Sequence, residues 1–200
     1  MKPPKPSKPS TIAVAAAAAL VAVLPLAGTS TAVSFAGKDH RAVTTAAGDT
    51  FHLRLKAGPT VLPASGGTVA VKGAGYNRAQ GIFLAFCAIP EGVVVGDPTT
   101  YKSLPGPCLP GRENQDGSSR RITDTGTGTP GITLPYEKGG KFSTTLEHVR
   151  PEIADGVTCD VTVRCAVVTR ADFTATNDRL YDLYIPVHFA PTAAKDKGQG

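Results

Sequence analysis

The 200-residue sequence contains no tryptophan and a single methionine, and aromatic side chains make up only 6 % of it. Any core must therefore be built from Val, Leu and Ile with a few Phe and Tyr. Helical periodicity is absent as well. After residue 36 no useful length places apolar residues at i, i+3, i+4 and i+7, which excludes amphipathic helices as the main building blocks. The signatures of common catalysts are missing too. There is no Gly-x-Ser-x-Gly elbow and no His-Glu-x-x-His pair, so neither a hydrolase nor a zinc protease of those types is expected. The segment Gly73-Ala74-Gly75-Tyr76-Asn77-Arg78 starts like a dinucleotide loop, but the third glycine and the helix are lacking, and it reads as a turn. His40, His52, His148 and His188 are scattered. His52 and His188 alternate with apolar neighbours, as outward strand residues do. Pairs of acids such as Glu147 with Glu152, or Asp178 with Asp182, read as a solvated face, and Arg170 with Asp172 as a structural salt bridge or a turn. We therefore expect no enzyme, no metal site and no cofactor.

What is present at the N-terminus sets the compartment. Lys2, Lys5 and Lys8 precede an apolar run from Ile12 to Ala27 that only Pro25 interrupts. Small residues follow at Ser30 and Ala32 and again at Ser34 and Ala36. A basic start, an apolar run and small residues before a cut describe a secretory signal, and we place the cleavage after Ala36. The run is shorter than the roughly 20 residues a membrane-spanning helix needs. The formal charge of +5 then falls, because three lysines leave with the signal and no acid does, leaving 18 bases against 16 acids. Nucleic-acid binders gather bases on one face. Here only Arg120 and Arg121 are adjacent, so a mixed solvated surface is expected and nucleic acid is not a partner.

An exported chain changes what cysteines are for. Cys87, Cys108, Cys159 and Cys165 all lie beyond the signal, where disulfides form and persist. The spacing of the last two suits neither a Cys-x-x-Cys redox pair nor the short pairs of a zinc site. Four cysteines allow three connectivities. A long bridge from Cys87 to Cys159 would parallel the inter-sheet bond of an antibody domain, but that bond packs on a core Trp, and this chain has none. Two local bridges, Cys87 with Cys108 and Cys159 with Cys165, are expected instead.

The rest of the chain reads as strands and turns. Phe51 to Lys56 alternates apolar with basic, Gly67 to Gly73 is bounded by glycines, and Gly81 to Cys87 is apolar enough to be central. Residues 88 to 140 form a long connection rich in Gly, Pro, Ser and Thr, with one short strand around Arg121 to Thr123. Strands resume at Lys141 to Leu146, Cys165 to Arg170 and Leu180 to Phe189. Short strands separated by turn clusters, with no helices between them, indicate an antiparallel sandwich or barrel. The expected organisation is a signal peptide at 1–36, an N-terminal linker at 37–49, one β-sandwich domain at 50–190 and a disordered tail at 191–200.

Three segments carry a family likeness. GGTVAVKGAGYNRAQGIFLAFCA (66–88), GKFSTTLEHV (140–149) and CDVTVRCAVVTRADFTATNDRLYDLYIPVHFA (159–190) resemble, in that order, parts of the neocarzinostatin family of enediyne-carrying apoproteins. The runs YNRAQGIFLAFC and CAVVTRADFTATNDR are also similar to β-sandwich modules of secreted and cell-surface actinobacterial proteins, some of which accompany haem-transport-associated domains. The resemblance implies an all-β, seven-stranded immunoglobulin-like Greek-key sandwich with two local disulfides. It also implies a cleft that holds an aromatic chromophore without chemistry. The loop between Cys87 and Cys108 holds twenty residues, longer than the resemblance implies, so no cleft residues are carried over.

On this reading the mature chain is a monomeric, secreted or cell-surface binding module. Its ligand is a small apolar or aromatic molecule, and Phe83, Phe86, Tyr101 and Tyr136 are the candidate lining residues. The alternative is an adhesion or scaffold module of the cell envelope associated with haem uptake. In that case an axial ligand would come from Tyr181, Tyr184 or His188, and the last two, four apart, would share one side of a strand.

Overall fold

The computed structural model describes Met1 and residues 35–191. The expected signal peptide, apart from Met1, Phe35 and Ala36, and the expected disordered tail, apart from Pro191, lie outside the described residues. The strands are β1 (Gly37–Thr44), β2 (Thr50–Gly58), β3 (Val61–Leu62), β4 (Gly67–Ala74), β5 (Ile82–Ala88), β6 (Ser119–Ile122), β7 (Thr133–Leu134), β8 (Phe142–Val149), β9 (Glu152–Ala154), β10 (Val157–Thr158), β11 (Cys165–Ala171), β12 (Leu183–Pro186) and β13 (His188–Phe189). A 3-10 turn at Pro98–Thr100 and a short α-helix, α1 (Gly111–Asn114), interrupt the long connection.

Local pattern explains most of these elements. In β2, Leu53, Leu55 and Ala57 are buried while His52, Arg54 and Lys56 are exposed, so a period of two turns one side of the strand into the core. Val69 and Val71 do the same in β4. β5 is apolar on both sides and six of its seven residues are buried, as befits a strand with both faces covered.

Two sheets result. One has the order β1-β2-β4-β8 and the other β12-β11-β5-β6-β7. Setting aside the additions β1 and β7, three strands pack against four, and the chain crosses from one sheet to the other between β4 and β5, back before β8, and over again before β11. This is the seven-stranded immunoglobulin-like order, with its fourth strand in the second sheet. Leu53, Leu55, Val69, Val71 and Leu146 face Leu84, Phe86, Ile122, Val167, Leu183 and Ile185 across the core, and none is more than 1 % exposed. Burying each such side chain contributes roughly 1.5–3 kcal/mol. Both disulfides are local: Cys87 bonds Cys108 and Cys159 bonds Cys165.

Two stretches depart from expectation. Residues 37–44, expected as linker, form β1 and pair with β2 along their whole length. Alternation is present there, but two of the inward positions are charged. Asp39 accepts a hydrogen bond from the Tyr184 N–H at 2.8 Å, and Arg41 donates to the Arg179 carbonyl at 2.6 Å. β1 therefore joins the open edge of β12 through side chains, a role that apolar patterning does not reveal. The last strand is also split. Pro186, which has no N–H to donate, ends β12, and β13 pairs in parallel with β3 instead. Tyr184 is fully buried while His188 is exposed, so the two do not share one accessible side.

Candidate functional site

The outward side of the five-stranded sheet is organised in rows by strand register. In one row Phe83 of β5 stands opposite Arg121 of β6 and Arg170 of β11. In the next, Ala85 stands opposite Ser119 and Val168, and Val168 opposite Tyr184. The second row is covered. Residues 89–108 fold over it and bring Ile89, Val93 and Tyr101 onto Ala85, Cys87, Ala166, Val168 and Tyr184 as a small second core. The Cys87–Cys108 bond fastens this loop, as do hydrogen bonds from Ile89 N–H to the Arg164 carbonyl at 2.8 Å and from Arg164 to the Val93 carbonyl at 2.9 Å. The Tyr101 and Tyr184 rings meet edge to face at 4.9 Å, a favoured aromatic geometry.

The first row stays open. Phe83 lies between two adjoining cavities of about 200 and 300 Å³ that share Phe83, Arg112 and Ser119. Together they sit at the lower end of the size of small-molecule sites. Phe173, in the turn after β11, is 54 % exposed, and its ring centre lies 6.2 Å from that of Phe83. Three guanidinium groups surround these rings: Arg121 is 4.2 Å from Phe173, Arg170 is 4.9 Å from Phe83, and Arg112 of α1 is 5.5 and 5.7 Å from the two. Cations over ring faces are attracted by the ring quadrupole. Wider depressions lie at Ser65 to Thr68 with Arg150 (about 610 Å³) and at Pro90 with Val161 (about 680 Å³), but both are open and neither is lined by a phenyl or phenol ring.

One arginine of this groove is locked. Asp172, fully buried, accepts from Arg121 Nε at 2.8 Å and pairs with its Nη2 at 2.8 Å. It also accepts from the Thr174 N–H at 3.0 Å and the Thr174 hydroxyl at 2.6 Å. Burial works to raise the Asp172 pKa, but the Thr174 hydrogen bonds and then Arg121 outweigh it, so the carboxyl lies below its ordinary value. Gly81 makes this possible, because a Cβ there would collide with the Asp172 carboxylate. Of the salt bridge or turn expected of Arg170 with Asp172, the turn is present, with Ala175 N–H donating to the Asp172 carbonyl at 3.1 Å, whereas the carboxylate pairs with Arg121, which stands on the same side of the sheet as Arg170. The one adjacent pair of bases is likewise divided, Arg121 lying on the groove side and Arg120 turned toward Glu147 at 3.7 Å.

At the seam between the two rows sits a second buried acid. Asp182 is fully buried and receives a 3.0 Å hydrogen bond from Arg179 on Oδ2, whereas its Oδ1 and the hydroxyl of Tyr184 have no hydrogen-bond partner among the described residues. Burial pushes its pKa up to about 7, with the charges of Arg179, Arg41 and Arg170 opposing.

The four aromatic candidates do not converge. Phe83 lines the groove. Phe86 points the other way, into the main core, at 0 % exposure. Tyr101 is sealed into the second core. Tyr136 lies in the main core, stacked on Tyr76 at 6.4 Å, with its hydroxyl donating to the Gln80 carbonyl at 3.0 Å. Sequence reasoning missed Phe173, Arg112, Arg121 and Arg170 as groove residues. The only signal for the last two was the register that sets them opposite Phe83. Among the described residues no group of three or more His, Cys, Asp or Glu side chains gathers in a way that could hold a metal, and no helix is long and apolar enough to cross a membrane.

No family model matches this sequence, and no curated protein matches it. Among solved structures the chain is similar to macromomycin, with 18 % identity and a TM-score of 0.41, over 69 % of this chain and 99 % of that one.

Proposed function

We propose that this chain is an exported, non-catalytic binding module that holds a small planar aromatic molecule in the groove along Phe83 and Phe173. The observation that carries this reading is that half-buried Phe83 and exposed Phe173 border a preformed concavity on a sheet face whose other half is sealed. An exposed ring beside a preformed concavity is a stacking platform for another ring. The rigid sheet places Phe83, and the ion pair of Arg121 with Asp172 holds the turn that carries Phe173. Two disulfides support export. The start of β1 at Gly37 also supports a cut after Ala36, since that cut would leave every paired strand residue in place.

The test is to purify the protein from culture supernatant and record its mass and its ultraviolet and visible spectrum, native and denatured. The expected result is the mass of residues 37–200 less four hydrogens, with an aromatic chromophore that separates on denaturation. In Phe173→Ala that chromophore should be lost while the fold remains. A chromophore retained by the Phe173→Ala protein would move the binding site elsewhere.

A further inference from the structure

The charges of the groove narrow its ligand further than its rings do. Of the three guanidinium groups around Phe83 and Phe173, Arg121 is neutralised by Asp172. The other two are not. Arg112 and Arg170 both lie over the Phe83 ring, at 5.5 and 4.9 Å from its centre. Among the described residues neither has a carboxylate within 4.0 Å; the buried carboxylates nearest them are engaged elsewhere, and Glu113 lines the same cavity without pairing with either. Asp172 is held by Arg121 and Thr174, Asp182 by Arg179, and Glu113 beside Arg112 is solvent-exposed without an ion pair.

Two like charges over one ring repel each other, and no direct ion pair or hydrogen bond to an acid among the described residues offsets the cost at short range. Arg170 is only half exposed, and burial together with the neighbouring Arg179 lowers its pKa, outweighing the opposing charges of Asp182 and Asp172. Among the described residues its one side-chain hydrogen bond is a long one, 3.5 Å to the Ala171 carbonyl. Most of its donors are therefore open to a ligand. The floor between the two arginines is Ser119, whose row neighbour is the small Ala85, which leaves space over the sheet at that point.

Resting on the aromatic-ligand reading, we infer that the groove takes an anionic aromatic molecule, with its ring against Phe83 and Phe173 and its carboxylate, sulfonate or phosphate between Arg112 and Arg170. Guanidinium groups present planar arrays of donors that match such oxyanions, and charge-assisted hydrogen bonds are about twice as strong as neutral ones. A cationic or neutral ring would leave the two arginines uncompensated.

Two fluorescent probes separate the possibilities, because they differ by one group: 8-anilino-1-naphthalenesulfonate and the uncharged N-phenyl-1-naphthylamine. With the full folded chain, the sulfonate should bind about tenfold more tightly or better, and its affinity should fall as salt is raised. Arg112→Ala and Arg170→Ala should each bring the ratio of the two affinities toward one, and Phe173→Ala should weaken both probes. Near-ultraviolet circular dichroism checks that each variant is folded. Equal affinities for the two probes, or a ratio unmoved by both arginine variants, would overturn the anionic preference while leaving the aromatic groove standing. If neither probe shows binding that depends on Phe173, the groove reading itself fails.

Discussion

On β5, Ala85 and Cys87 lie beneath a twenty-residue loop, whereas Phe83, two positions away on the same side, lies beneath only a short helix and a turn. Ala85 and Phe83 have the same strands on either side, β11 and β6, so the difference between them does not come from the sheet. It comes from what is fastened over it. Small side chains, Ala85, Ala166 and Val168, leave room for a second layer, and Tyr101, Val93 and Ile89 fill it. A disulfide and a pair of hydrogen bonds through Arg164 tie that layer down. Over Phe83 the neighbours are long cations, which cannot be dried out and covered at low cost. Apolar rows invite a cover; a charged row resists one.

The two halves also treat buried acids in opposite ways. Asp172, under the open half, is satisfied on both oxygens and held charged by Thr174 and Arg121. Asp182, at the seam beside it, keeps one oxygen without a partner among the described residues, and burial favours its neutral form.

The largest effect should come from breaking the open half from below. Asp172→Ala leaves Arg121 buried without its partner and should cost about 3–5 kcal/mol, measured by chemical denaturation. An effect below about 1 kcal/mol would mean that Arg121 finds water and that the open half is not built on this pair.

Next comes the pH profile. A carboxyl whose folded pKa is about 7 and whose unfolded pKa is near 3.9 stabilises the fold fully below about pH 4, and that stability is lost as pH rises toward 7. The loss is up to about 4 kcal/mol, and Asp182→Asn should abolish the slope. The lowered pKa of Asp172 has the opposite sign: its contribution is present above about pH 4 and is lost as pH falls further. Stability measured from about pH 3 to 8 in both single variants distinguishes the two acids.

Replacing Cys87 and Cys108 together by Ala should cost about 3 kcal/mol in the chain-entropy account of a loop of this length. It should also loosen the cover, exposing Tyr101 to solvent perturbation of its absorbance, while the groove around Phe83 keeps its probe affinity. If that affinity collapses too, the two halves are one unit.

The smallest stability change is expected for Phe173→Ala, within about 0.5 kcal/mol because the ring is largely exposed, although ligand binding should fall sharply.

Much of the sandwich was legible from alternation. Phe51 to Lys56, Gly67 to Gly73 and Lys141 to Leu146 announce half-buried strands, and Gly81 to Cys87 announces a central one. β1 was not legible, because the inward positions of residues 37–44 are occupied by Asp39 and Arg41, whose partners lie about 140 residues away at Tyr184 and Arg179. Of the groove, only Phe83 was readable. Phe86, Tyr101 and Tyr136 were equally plausible linings by composition, and parity along the strand and the fold of the loop sent each of them into a core.

The sequence by itself determined the all-β class and the main strands, because alternation and turn residues are local properties, while for the four cysteines it offered three pairings and only a preference for two local bridges. Only the tertiary structure decided which side of β5 is open, that Asp172 serves Arg121 rather than Arg170, and that Arg112 and Arg170 meet over one ring. Those outcomes depend on strand register and on loops that cross the sheet, which no local pattern encodes.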